Sequence, residues 1–298
     1  MERLAVLVVT HNSARTIDAL LHGLPDALAG VPATTVVVDN GSTDETLKRL
    51  RAHTGIRVVP HTNVGYAGGI NVGMAQVPDA SAYLILNPDL TLGRGSVPPL
   101  LEALRADAVG IAAPRVEDEA GGLVLSLRRT PSLGRAAGLN WTGLPALSEY
   151  VTDPAAYTIS RDVDWALGAA LVVSRACADA VGPWDESFFL YSEETDYCLR
   201  AAAAGYRTRF VPSAVVVHTE GGSGRSDATH TMLIVNRVRL YARAHGALAG
   251  YAYLALNVLS ESVWILRGHS QSRASVRGLL RPRTRPAELG CSDSLLPR

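Results

Sequence analysis

Short apolar runs separated by polar, glycine-marked turns dominate the first hundred residues. Leu4 to Val9 (LAVLVV), Thr35 to Val38 (TVVV), Ile56 to Val59 (IRVV) and Tyr83 to Leu86 (YLIL) are aliphatic or β-branched and bounded by turn residues, which predicts buried parallel strands. Helical segments are expected between them, near Ala14 to Leu28, Asp44 to His53 and Gly69 to Ala75. That alternation is the pattern of an α/β sheet. Farther on, Ala247 to Leu266 (ALAGYAYLALNVLSESVWIL) is long and apolar but interrupted by Asn257, Ser260, Glu261 and Ser262, which argues against a membrane span. Two readings remain for it: a helix packed on the body, or one lying in a lipid headgroup layer. From about Ser270 onward the composition predicts a flexible tail.

In open α/β sheets ligands bind beyond the carboxyl ends of the strands. Those ends are polar throughout: Thr10-His11-Asn12-Ser13, Asp39 to Asp44 (DNGSTD), Asn63-Val64-Gly65 and Asn87-Pro88-Asp89. Asp39 can accept from a base NH or a ribose hydroxyl, while Ser42, Thr43 or Asp44 can cap the next helix. The segment Asn63 to Gly73 (NVGYAGGINVG) allows close backbone approach and a diphosphate at a helix start. It is not the dinucleotide fingerprint, and no glycine follows the first strand.

A second polar cluster lies at Glu193, Glu194 and Asp196, where a loop from Trp184 meets a short helix that stops near Gly205. Asp196 and Arg200 are four apart and can pair, which leaves Glu193 and Glu194 at an exposed mouth without a local cation. Helix-dipole complementation explains such acids without chemistry; a general base explains them with it.

Composition narrows the class. With 298 residues, 47% hydrophobic and 19% charged, the chain is globular, and the Leu4–Val9 run is too short for a secretory signal. Cys177, Cys198 and Cys291 lack the spacing of a disulfide framework or zinc site. A cytoplasmic location is expected, with no nucleic-acid partner. The formal net charge is zero, yet residues 237–298 hold ten arginines against Glu261, Glu288 and Asp293. A basic end behind an acidic body fits an anionic membrane surface, with Arg237, Arg239, Arg243 and Arg267 assisting.

Taken in order, VVTHNS, VVVDNGSTDET, NVGYAGGIN, LILNPDL, DWALGAALVVSR and FLYSEETDYCLRAAAAGY followed by VPSAVVVH resemble the motifs of glycosyltransferase family two, nearest its rhamnosyltransferase-like branch. The resemblance covers about Leu4 to Tyr241. It implies the GT-A fold: a mixed, mainly parallel sheet flanked by helices, here with a C-terminal helical extension. It also implies inverting transfer from a nucleotide-diphospho-sugar, with Mg2+ or Mn2+. The expected organisation is a catalytic domain over 1–236 (1–95 for the nucleotide-sugar, 96–236 for acceptor and catalysis), a helical, membrane-associating extension over 237–269 and a flexible basic tail over 270–298.

Carried over by position, the resemblance puts Thr10, Asn12, Asp39, Asn63, Gly65, Asn71, Asn87 and Asp89 around the nucleotide-sugar. Asp89 and His218 become metal ligands. Asn87 departs from the family's strict acidic pair and lowers the charge offered to a metal. Trp165 and Gly168 would lie beneath donor sugar and acceptor, where small residues make room for a ring, and Trp184 and Asp185 would open a loop over the acceptor side. Glu194 is the expected base, Glu193 its competitor, and Asp196 pairs with Arg200 or touches acceptor. The first donor to test is dTDP-rhamnose. The acceptor is a polyprenyl-linked or surface-polysaccharide saccharide on the inner face of the membrane, or alternatively a soluble small molecule. A nucleotidyl enzyme would show a glycine- and lysine-rich phosphate loop, and Lys48 is the only lysine. A non-catalytic nucleotide-sugar or lipid-binding relative would lose the acids.

Overall fold

In the computed structural model, residues 3–219, 226–291 and 295 are described. The elements run β1 (Leu4–Thr10), α1 (Ile17–Leu28), β2 (Ala33–Asn40), α2 (Thr46–Ala52), β3 (Ile56–His61), α3 (Gly65–Ala75), β4 (Ala82–Leu86), β5 (Leu90–Leu92), α4 (Val97–Ala103) and β6 (Val109–Glu117). They continue with β7 (Leu127–Arg128), α5 (Leu133–Ala136), β8 (Arg161–Val163), β9 (Trp165–Ala166), β10 (Ala170–Ser174), α6 (Arg175–Val181), α7 (Glu193–Ala203), β11 (Arg207–His218), α8 (Asp227–Leu266) and α9 (Gln271–Leu280).

Nine strands form one sheet in the order β3-β2-β1-β4-β10-β6-β11-β5, with β8 also on β11. The first four are parallel, as their β-branched runs predict. Strand β10 then enters antiparallel to both β4 and β6, so the sheet is mixed. Strand β3 differs from expectation: it lies at the edge and is half-exposed rather than buried, because only β2 covers it. Apolar clusters fill both faces, one around Val9, Ile70, Tyr83 and Tyr197, the other around Val8, Leu20, Leu84 and Val172. Helix α3 lies close on β1, since a Cβ at Gly69 would come within 2.5 Å of Val9.

The C-terminal region departs from the sequence expectation in three ways. The boundary at 236/237 falls inside α8, which starts at Asp227 on a Ser226/Thr229 capping box. The supposed tail is helical over Gln271–Leu280, while 292–294 and 296–298 lie outside the described residues. Small residues explain the docking: Ser272, Ser275 and Gly278 are buried, and a Cβ at Gly278 would meet Thr231 at 2.6 Å. Finally, Arg237, Arg239 and Arg243 face the body rather than a membrane. Arg237 pairs with Glu149, Arg239 donates to the Ser187 carbonyl at 2.8 Å, and Arg243 pairs with Asp185.

Candidate active site

The carboxyl ends of β1 and β2 carry side chains that hold one another. Thr10 is fully buried and donates to the Asp39 carboxylate at 3.3 Å. Asn12, in a left-handed conformation (φ 53°), accepts from the Thr43 amide at 2.8 Å, and its own amide donates to Ser42. Asn40 donates to Asn63 at 3.1 Å and to the Gly65 carbonyl at 2.8 Å, and accepts from the Val64 amide. The result is a shaped ledge with little slack. The glycines beside it serve packing: a Cβ at Gly65 would lie 2.4 Å from the Phe189 carbonyl oxygen. Their close backbone approach is to protein, not to an open diphosphate pocket.

Past β4, Asn87 is tied by its amide to the Ala169 carbonyl, and Asp89 is nearly buried. His218, the last residue of β11, meets the Asp89 carboxylate through Nε2 at 3.2 Å, and its Nδ1 is buried without a hydrogen-bond partner. No cluster of three or more metal-ligating side chains occurs among the described residues. The Asp89 carboxylate and the His218 imidazole would offer a divalent cation one oxygen and one nitrogen ligand, with the remaining ligands left to a diphosphate.

The acids sit on a strained approach. Phe189, Tyr191 and Ser192 have φ of 59°, 68° and 74°, a region costly for non-glycine residues. Three contacts hold this segment. The Tyr66 amide donates to the Phe189 carbonyl at 2.6 Å. The Asn236 side-chain amide, from α8, donates to the carbonyls of Phe188, Leu190 and Tyr191 at 2.7–3.0 Å. Arg239 in turn donates to the Asn236 side-chain oxygen.

From this segment α7 starts directly with Glu193, which is buried rather than at an exposed mouth. Burial, and then the charge of Glu194, push its carboxyl well above the usual range. Glu194 is half-buried and raised by burial, but backbone amides, Gly168 among them, and the Arg128 charge oppose the rise. Both carboxyls are therefore raised, Glu193 the further of the two, and they titrate as one coupled pair. Each has one buried oxygen without a protein partner, and the Tyr66 hydroxyl, in electrostatic reach of Glu193, Glu194 and Asp89, is buried and unpartnered as well.

The remaining expected residues divide differently. The room left by Gly168 is taken by Glu194, whose Cβ would lie 3.0 Å from a Cβ there, so its smallness admits the acid and not a sugar ring. Trp165 is core, its indole donating to the Arg129 carbonyl at 3.1 Å. Trp184 is buried and stacked on Tyr197 with centroids 4.1 Å apart. Asn71 uses its amide on the Trp184 carbonyl, its Glu186 neighbour and the Trp184 amide. Asp185 caps the turn at Ser187 and pairs with Arg243. Asp196 binds Arg200 at 2.7 Å as its spacing predicts. Sequence reading missed Tyr66, Arg128, Asn40 and Asn236. An aromatic inside a glycine-rich run was a signal for Tyr66; Asn236, one polar residue in a helix, gave none.

The family model of glycosyl transferase family 2 matches residues 5–151, and that of glycosyl transferase family group 2 matches residues 128–254. An N-acetylglucosaminyl-diphospho-decaprenol L-rhamnosyltransferase of Mycobacterium tuberculosis is 30% identical, covering 92% of this chain and 94% of its own. Rhamnosyltransferase WbbL of Escherichia coli is 25% identical over 74% of this chain and 85% of its own. In fold the chain is similar to S. aureus TarS in complex with UDP-GlcNAc (TM-score 0.57, 15% identity, 97% of this chain and 83% of that one). It is also similar to the mannosyltransferase PcManGT from Pyrobaculum calidifontis in complex with GDP-Man and Mn2+ (TM-score 0.55, 17% identity, 97% and 85%). These neighbours share the GT-A arrangement of a mixed sheet between helices.

Proposed function

The chain belongs to glycosyltransferase family 2, and from that premise we propose that it transfers rhamnose from dTDP-rhamnose to a saccharide hydroxyl on a polyprenyl diphosphate. The observation that carries the chemistry is the buried carboxyl pair Glu193 and Glu194, each with an unpartnered oxygen, beside Tyr66 and the Asp89–His218 pair. The substrates follow the relative matched along nearly its whole length.

One displacement is enough. The acceptor oxygen bonds to the anomeric carbon as the bond to the diphosphate oxygen breaks, which inverts that centre and releases the nucleoside diphosphate. Glu194, ionised, takes the acceptor's proton as general base. Glu193, raised the further by burial and by the Glu194 charge, is the member of the pair that holds a proton more readily, and the Tyr66 hydroxyl is free to donate to the acceptor or to Glu194. Asp89 and His218 would hold Mg2+ or Mn2+, which when bound supplies positive charge for the departing diphosphate. The ledge of Thr10, Asn12, Asp39, Asn40 and Asn63 orients the nucleotide.

A place on the inner face of the cytoplasmic membrane is supported by α8. Among the described residues no helix is long and apolar enough to cross a membrane. Beyond Gly246, however, Asn257 and Glu261 turn inward and Leu248, Tyr251, Leu259, Val263 and Leu266 are exposed. Exposed Arg267, Arg273, Arg277 and Arg281 flank that face, a composition suited to anionic lipid rather than to a soluble acceptor's enzyme.

A thermal-shift and transfer panel of dTDP, UDP and GDP sugars with Mn2+, using a polyprenyl-diphosphate saccharide as acceptor, tests the reading. Transfer of rhamnose from the dTDP sugar is expected; stabilisation by UDP or GDP sugars alone would reassign the donor. Flotation with vesicles of anionic lipid, and none with neutral lipid, is the expected behaviour of the α8 face.

A further inference from the structure

Beside His218 a cavity of about 630 Å³ opens, walled by the turn at Asp118 and Glu119, by Leu125 and Arg128, and by Tyr150. The wall is fixed. Asp118 accepts from the Ala120 and Gly122 amides at 2.9 and 2.7 Å, and Glu119 accepts from Thr219 at 2.9 Å. Each acid is thus held in place through one of its carboxylate oxygens. Arg128 is different. Its guanidinium lies 3.9 Å from the centre of the half-exposed Tyr150 ring, and one nitrogen donates to the Leu125 and Leu127 carbonyls. Among the described residues no carboxylate is within ion-pair distance of it, so a half-buried cation whose charge also reaches Glu194 faces the cavity without a salt-bridge partner.

The strand order sets this cavity apart from the nucleotide ledge. The ledge is on β1 and β2, on one side of β4, whereas the cavity is walled by the 118–125 turn that follows β6, by Arg128 of β7 and by the end of β11, and β6 and β11 are on the other side of β4. His218 is itself part of the cavity wall and meets Asp89. Arg128 is also in electrostatic reach of Glu194, so a group bound to it lies near the proposed base and apart from the β1–β2 ledge, as an acceptor must. Resting on the acceptor class proposed above, we propose that Arg128, stacked on Tyr150, binds the diphosphate of the lipid-linked acceptor and selects acceptors that carry one. A guanidinium suits that role because it offers a planar fork of donors to phosphate oxygens. The donor's own diphosphate has the same chemistry, so the experiment must separate the two.

Full-length wild type, Arg128→Gln and Arg128→Lys are compared on one saccharide presented as a short-chain prenyl diphosphate and as a neutral alkyl glycoside. Arg128→Gln is expected to raise KM about tenfold to a hundredfold for the diphosphate acceptor. KM for the alkyl glycoside and for the donor should change little, with partial recovery in Arg128→Lys, while kcat falls alike on both acceptors because Arg128 also acts on the Glu194 carboxyl. An equal rise in KM on both acceptors would make the residue structural, and a rise confined to donor KM would move it to the donor; either overturns the proposal. A binding arm needs no turnover: with dTDP saturating, a short prenyl diphosphate without sugar should bind wild type and be lost from Arg128→Gln. Equal binding by both proteins also overturns it. Binding that follows the expectation without any transfer would instead count against the rhamnosyl-transfer reading.

Discussion

The two ends of the active site are built on opposite terms. At the β1–β2 end Thr10, Asp39, Asn12, Asn40 and Asn63 are hydrogen-bonded to one another or to nearby amides. At the α7 end Glu193, Glu194, Tyr66 and His218 each keep a buried polar atom without a protein partner, and three non-glycine residues before them are left-handed. Each such orphan costs about 1–3 kcal/mol. The first end is therefore shaped to recognise, at little cost to folding, while the second is held in an unfavourable state that substrate can relieve.

The strongest way to break this contrast is Glu194→Gln. Loss of a general base lowers kcat by about a hundredfold to ten-thousandfold, with donor affinity kept; near-normal turnover in Glu194→Gln and a collapse in Glu193→Gln would exchange the two roles. Next comes Asn236→Leu, which frees the carbonyls of Phe188, Leu190 and Tyr191. Misplacing the acids is expected to cost kcat about tenfold to a hundredfold, while dTDP affinity by calorimetry stays level. A matching fall in nucleotide affinity would mean that the ends are not independent.

Glu193→Gln sharpens the contrast in the other direction. Because its folded carboxyl is raised by burial and by Glu194, the native chain binds a proton that the unfolded chain has already lost between the usual carboxylate range and the raised value. Stability therefore falls as pH rises through that window. Glutamine removes the ionisation, so the variant should melt above wild type at pH 8, and the gap should close toward pH 4; a gap indifferent to pH would sink the assignment. The smallest effect is expected at the satisfied end. Asn12→Ala loosens the 42–44 turn and should cost about 1 kcal/mol of stability and less than tenfold in donor KM.

Much of the fold could be read directly. Four aliphatic runs became four adjacent parallel strands, three of them buried because unbroken apolar runs suit a sheet covered on both faces, and the fourth, β3, half-exposed at the edge. The acids were visible through their place at a helix start. Their burial was not, since it depends on Gly65 letting Phe189 approach and on a clamp from a helix more than forty residues downstream. Arg237, Arg239 and Arg243 misled for a related reason: composition reports charge, and only packing reports which way it points. Helix α9 was hidden by its small and basic residues, which look disordered until α8 covers them.

Gly246 gives the long helix a joint. Its φ of 82° and ψ of 174° break α8 between the portion that clamps the catalytic loop and the portion with the apolar outer face. Nothing crowds the position, so space does not demand glycine there. The backbone does, at about 1–3 kcal/mol for any other residue. A straight α8 would swing its outer half away from α9 while the clamp stayed in place. One residue thus sets the tilt between the half of α8 that holds the 188–191 segment and the half that bears the exposed apolar face.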